Sequence, residues 1–314
     1  MYEQIARNKR RTILYIGVFF LVWLGIGAIV GSLYDAFSPG PLGAPSTEPR
    51  DVVVGIVLAV VLAALATAFT LRSGTHLVLS VAGARPAEQA AYPQLYNLVE
   101  ALALGDGLPT PSIYIVRDSS PNAFATGVSP ARAAITVTSG LLAVMDREEL
   151  EGVLAHEMSH IKNYDTRLLL IISTLIGLAG LLASILWRSA LFSRGRGRSG
   201  GRLMLLILAA AALLSVVGFI LGPIIRMALS RRRESLADAS GVELCRNPAG
   251  LIRALRTLQA NDTPLARVNH ATAAMCIDDP LQHHQGRIHR LFDTHPPIAE
   301  RIASLERMAH GLSV

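Results

Sequence analysis

His156-Glu157-Met158-Ser159-His160 is the stretch on which the reading of this 314-residue chain turns. It sits in an apolar-periodic run that starts after Asp146, and Glu149, three residues on, completes a helix-start signal. On a helix, residues i and i+4 share a face, so the two imidazoles can reach one metal ion. Glu157 then projects beside that ion, where it can hold a water. At this chain's composition about 0.01 chance occurrences of H-E-x-x-H are expected, so accident explains it poorly.

Two histidines are one ligand short of a catalytic zinc site, which takes three protein ligands and keeps a position open. Arg233-Glu234-Ser235-Leu236-Ala237-Asp238 supplies two acids, again at i and i+4. Glu234 is the natural third ligand. Asp238, one turn later, is placed to accept the distal N–H of His156 and fix its tautomer. Alone, such a pair is as often a solvated helix face; beside H-E-x-x-H the ligand reading prevails.

Between and before these motifs the chain is strongly apolar. Hydrophobic residues make up 51% and charged residues 17%, against about 25% charged in soluble domains. Four stretches, Thr12–Leu33, Val52–Leu71, Leu168–Trp187 and Leu203–Ile225, contain no acidic or basic residue, and each meets the about 20 residues that a bilayer crossing needs. The first is too long for a signal-peptide core and no A-x-A-like site follows it, so it reads as an anchor. A metal transporter would need ionisable residues inside the spans, and these have none.

The net charge of +6 does not point to nucleic acid, because the basic residues gather at helix ends: Arg7, Lys9, Arg10 and Arg11 before the first span, and Arg226, Arg231, Arg232 and Arg233 after the fourth. Such clusters suit lipid headgroups and topology. With the N-terminus in the cytoplasm, more positive residues fall on the inner side than outside, although the loop 188–202 carries five arginines on the outer side. Cys245 and Cys276 have no paired spacing and fall in the cytoplasmic part, where thiols stay reduced.

The chain is therefore expected to divide into residues 1–71, a tail with two membrane helices; 72–167, the first half of a water-facing domain; 168–225, a membrane hairpin with an Arg/Gly-rich loop; and 226–314, the second half. The first half reads as a strand over Leu77–Val81, a helix over Tyr92–Leu104, a strand over Ser112–Arg117, an irregular extended run over Pro121–Gly127 and a strand over Ala133–Thr138, followed by the helix after Asp146. Helices are expected over Arg232–Cys245, Leu251–Gln259 and Pro297–Met308. With no helix breaker between His160 and Leu168, one helix is expected to run on into the third span. That would place the metal about 12 Å from the membrane edge, and Glu234 about 13.5 Å from Ile225, at about 1.5 Å per residue.

These motifs resemble those of HtpX-like membrane zinc endopeptidases, in the gluzincin class that also includes the CAAX prenyl proteases. The resemblance rests on Ser120-Pro-Asn-Ala-Phe-Ala-Thr-Gly127, the run from Arg147 through His156-Glu-x-x-His160 to Asp165, Glu234-x-x-x-Asp238 and His295-Pro-Pro-Ile-Ala-Glu-Arg301, in that order around a hydrophobic hairpin. It implies an α+β zincin-like metalloprotease domain, mainly helical with a small sheet, carried with about four transmembrane helices. It also implies one Zn2+ on His156, His160 and Glu234, with Glu157 as the general base. Asn122, Ala123 and Phe124 resemble the edge strand that aligns an extended substrate. His295 or Arg301 would meet the oxyanion; equally, His295 can cap the last helix and Arg301 can pair with a buried acid, Asp165 or Asp238. Lys162, Asn163 and Asp165 are assigned to helix packing and contacts behind the ligands.

The expected activity is hydrolysis of misfolded or damaged membrane proteins, or other unfolded polypeptides, at the cytoplasmic face of a bacterial cytoplasmic (inner) membrane. Other membrane quality-control proteases are the implied partners. Two alternatives differ in class: a narrower protease of prenylated C-termini, which would need more spans than four, and a zinc-binding chaperone or scaffold that does not cut, which would not need Glu157.

Overall fold

The capping box expected at Asp146 forms as the sequence predicts and sets the start of the central helix. In the computed structural model the Asp146 side chain accepts from the Glu149 amide at 2.8 Å, and the Glu149 carboxylate takes the Asp146 amide at 3.0 Å. The structure describes residues 2–37, 50–192, 201–261 and 297–310. In chain order these give α1 (Tyr2–Phe37), α2 (Arg50–Val81), β1 (Arg85–Pro86), α3 (Pro93–Asp106), β2 (Ser112–Val116), β3 (Ala123–Gly127), β4 (Ala133–Thr138) and α4 (Ser139–Val144). There follow α5 (Arg147–Lys162), α6 (Asp165–Phe192), α7 (Gly201–Ser215), α8 (Gly222–Cys245), α9 (Pro248–Gln259) and α10 (Ile298–Ala309).

The chain falls into two units, one of Met1–Lys9, Ser73–Leu170 and Ile225–Val314, the other of Arg10–Arg72 and Ile171–Ile224. The first is mainly helical with a four-stranded mixed sheet ordered β1-β2-β4-β3. β2 runs parallel to β4, and β3 antiparallel to it, in the register Ala123↔Val137 and Ala125↔Ile135. One sheet face meets α5 in a core that includes Ala123, Ala125, Ile135, Val137, Leu154 and Met158. β3 is the outer strand on its side, among the described residues.

Three sequence expectations need correction. Leu77–Val81 is not a strand but the end of α2. Its short apolar run stays helical because nothing breaks the helix before Gly83, which takes φ 67. There Ala84 N–H reaches Leu79 O at 2.9 Å and Gly83 N–H reaches Ser80 O at 3.1 Å, a Schellman stop that favours glycine. The helix through His160 does not continue to Leu168 either: α5 ends at Lys162, Tyr164 takes φ 61, and α6 starts at Asp165. The 12 Å reckoning along an unbroken helix falls with it; α8, by contrast, is continuous past both Ile225 and Glu234. The run from Pro121 is regular strand from Ala123 on.

In the second unit the expectation of four spans is met in part. Two helices, α2 and α6, are long and apolar enough to cross a membrane; the other apolar stretches among the described residues, Ile16–Ser32 and Ile207–Gly218, are shorter. A π-helical segment, Val216–Leu221, follows α7. The buried cluster of this unit is Trp23, Ile26, Leu214 and Val217 set among Ala59, Ala63, Ala179 and Ala183. α1 and α2 cross with backbones nearly touching. A Cβ on Gly27 would stand 2.5 Å from Gly55 O, and one on Gly55 would stand 2.3 Å from Gly27 O. Small residues at a crossing are how helices pack closely in lipid. Trp187 of α6 also donates to Ser215 Oγ of α7 at 3.1 Å.

Candidate metal centre

α5 and α8 build the centre. Gly241 of α8 lies against α5 so closely that a Cβ there would stand 3.0 Å from His156 N. This bare contact lets Glu234 and Asp238, two and one turns earlier on α8, reach the histidines. His156 and His160 stand edge to face, ring centroids 4.8 Å apart at 87°. Their Nε2 atoms are 3.2 Å apart, with Glu234 Oε2 3.5 Å from His156 Nε2 and Glu234 Oε1 3.6 Å from His160 Nε2.

These spacings fit an ion. Two atoms bonded at 2.0–2.1 Å to a tetrahedral zinc lie about 3.3 Å apart, close to each of the three separations. Among the described residues, His156, His160 and Glu234 are the group of three that can hold a metal. Glu157, 1% exposed, has an Oε2 atom that takes no hydrogen bond from the described residues. The donor set of two imidazoles and a carboxylate suits a zinc-type centre with an open position.

Carboxylates back both ligand histidines. Asp238 Oδ1 lies 2.9 Å from His156 Nδ1, as the sequence spacing suggested. Asp165 Oδ2 lies 3.1 Å from His160 Nδ1, which gives the contact expected behind the ligands its partner. Arg301 of α10, 3% exposed, pairs with Asp238 rather than Asp165, through Nε at 3.0 Å and Nη2 at 2.7 Å. Its Nη1 is 3.9 Å from Glu234 Oε2. Of the two sequence readings of Arg301, the pairing with a buried acid is the one the geometry displays. His295 lies outside the described residues.

The electrostatics follow from burial among opposed charges. Burial and Arg301 would pull the His156 imidazole down, but its hydrogen bonds to Asp238 and Glu234 outweigh them and push it up to about 9. Burial would raise the Asp238 carboxyl, yet the charge of Arg301 and the His156 hydrogen bond bring it down to about 2. Burial would strip the Arg301 proton; Asp238, Glu234 and Glu157 hold the guanidinium charged. Glu157 goes the other way. Burial raises it and Glu234 adds to the rise, while His156, His160 and the Ala125 amide only partly oppose this. A buried carboxyl tuned upward is suited to taking a proton near neutral pH.

β3 borders this site. Thr138 N–H donates to Asn122 O at 2.9 Å. In antiparallel alternation, Ala123 and Ala125 therefore turn their amides away from β4, toward the outer edge. The Ala123 amide is taken by Asn122 Oδ1 at 2.8 Å, and the Ala125 amide by the Glu157 carboxylate. Asn122, Ala123 and Phe124 are all buried. Sequence reasoning missed Gly241 and the Ala125–Glu157 contact; it placed Asp165 behind the ligands without naming His160 as its partner. The first had a trace in the sequence, since a glycine two turns beyond a ligand on a packing helix signals close approach.

Fold and site together define a metalloprotease. The chain belongs to peptidase family M48, whose model matches residues 89–309. It is 42% identical over 318 residues to a Limosilactobacillus fermentum protein named protease HtpX homolog, and 39% identical over 312 residues to a Streptococcus gordonii protein of the same name. Each match covers 98% of this chain and 100% of the relative. The crystal structure of S. mikatae Ste24p shares the fold at a TM-score of 0.51 and 19% identity, over 96% of this chain and 66% of that one.

Proposed function

We propose that this metalloprotease is a multi-pass membrane zinc endopeptidase that cuts misfolded or damaged membrane proteins at the cytoplasmic face of a bacterial cytoplasmic membrane. The observation that carries the reading is the buried His156–His160–Glu234 cluster beside Glu157 and the outer strand β3. His156, His160 and Glu234 would hold one Zn2+, which when bound lowers the pKa of water and polarises the scissile carbonyl. Glu157 takes the proton of the attacking water and delivers it to the departing amine. Asp238, clamped by Arg301, keeps His156 in its ligand orientation. His295 or Arg301 would donate to the oxyanion. The substrate lies along β3 as an added strand, with Asn122, Ala123 and Phe124 lining it.

Support for the membrane comes from the second unit. Of the twenty-four large hydrophobic side chains exposed among the described residues, twenty belong to it, including Leu21, Leu58 and Leu65, each more than 60% exposed. Water would penalise such a surface; lipid would not. The arginine distribution orients the peptidase unit toward the cytoplasm. Other membrane quality-control proteases are the expected functional partners.

The test compares wild type and Glu157→Gln, both loaded with zinc in vesicles, for cleavage of an unfolded membrane protein. A general base contributes about 10²–10⁴-fold, so the variant is expected to lose at least about 100-fold while binding zinc equally. Equal zinc binding with no cleavage by either protein would instead favour a chaperone or scaffold. Cleavage of soluble unfolded proteins as fast in detergent as in vesicles would remove the membrane from substrate selection.

A further inference from the structure

An unbroken helix could not bring Asp165 to His160. Five residues at about 100° each leave two side chains about 140° apart around the axis. The chain closes that angle by stopping α5 at Lys162, turning through Tyr164 at φ 61, and starting again at Asp165. A bulky residue with positive φ is uncommon, and such backbone persists where the surroundings impose it, often at functional sites. Here the turn returns the Asp165 carboxylate, 0% exposed, to within 3.1 Å of His160 Nδ1. The opposite ring nitrogen, Nε2, faces Glu234 and His156.

We propose that Asp165 is the positioning residue for His160, and that the break at Tyr164 is the device that delivers it. The inference rests on His156, His160 and Glu234 being metal ligands. The two histidines are then braced from different directions. His156 leans on Asp238, itself held by Arg301 of α10, whereas His160 leans on the first residue of the apolar helix α6. The bland alternative is that Asp165 merely starts α6, where an acid suits the helix N-terminus.

Metal affinity separates the two. The full-length protein, stripped of metal in detergent, is titrated with Zn2+ against a chelator and with Co2+ by visible absorption, and unfolding of the metal-free form is followed in parallel. Asp165→Asn and Asp165→Ser keep a small polar side chain at the start of α6 while removing the carboxylate, and metal-free unfolding reads any loss at the helix start by itself. They are expected to weaken metal binding about 10- to 100-fold and to alter the Co2+ spectrum, with metal-free unfolding unchanged. Tyr164→Gly keeps the turn and the carboxylate, and should bind as wild type does. Wild-type affinity and spectrum in Asp165→Asn would overturn the proposal, as would a Tyr164→Gly defect equal to that of Asp165→Asn. If wild type itself bound neither metal, the ligand assignment would fail, a result distinct from either of these.

Discussion

The two units bury opposite things. In the peptidase unit large side chains are fully enclosed, Leu95, Ile135, Leu141, Leu154, Met158 and Leu251 among them, and charged groups such as Glu157, Asp165 and Arg301 are buried with them. In the helical unit alanines make half the buried cluster and glycines make the crossings, while leucines and valines face outward. One unit is sorted by water, which drives large apolar groups inside. The other is sorted by packing, which rewards small residues where helices meet when the surroundings are as apolar as leucine. The same residue therefore carries opposite information in the two places.

The largest effect is expected at Leu154, buried at 0% in the peptidase core. Leu154→Ala should cost about 2–5 kcal/mol, read as a loss of unfolding stability in detergent. Leu65, 63% exposed midway along α2, should resist arginine by about 2.5–3.5 kcal/mol, seen as a smaller membrane-integrated fraction. Leu104→Arg on α3, also exposed, should integrate normally; equal behaviour of the two would erase the distinction. Gly27→Val drives a side chain into Gly55 O and should cost about 1–3 kcal/mol, measured as a lower unfolding temperature in micelles. Least is expected at Arg256, whose pair with Glu306 at 2.6 Å links α9 to α10 in the open. Arg256→Ala should change stability by about 0–1 kcal/mol, less at high salt.

How much of this was legible in the sequence depended on whether the cause was local. The helix start at Asp146, the facing of His156 and His160, and the reach of Asp238 to His156 follow from helical spacing and were read correctly. So were α3, β2 and β4, where periodicity and punctuation agree. The end of α2 was misread because a short apolar run serves a helix as well as a strand when no breaker intervenes. The break after Lys162 left no trace because tyrosine has no preference of its own for the left-handed turn it takes at Tyr164. The Arg301–Asp238 pair was foreseen only as one of two options, since choosing between Asp165 and Asp238 needs the positions of α8 and α10.

The outer edge of a sheet is a template for pairing with another chain, and β3 is such an edge among the described residues. Here the two amides that would begin such pairing, at Ala123 and Ala125, are already satisfied by Asn122 and by the Glu157 carboxylate. An intruding chain must displace both bonds before it gains its own. Edge pairing at β3 therefore favours a chain that is already extended and has hydrogen bonds to spare.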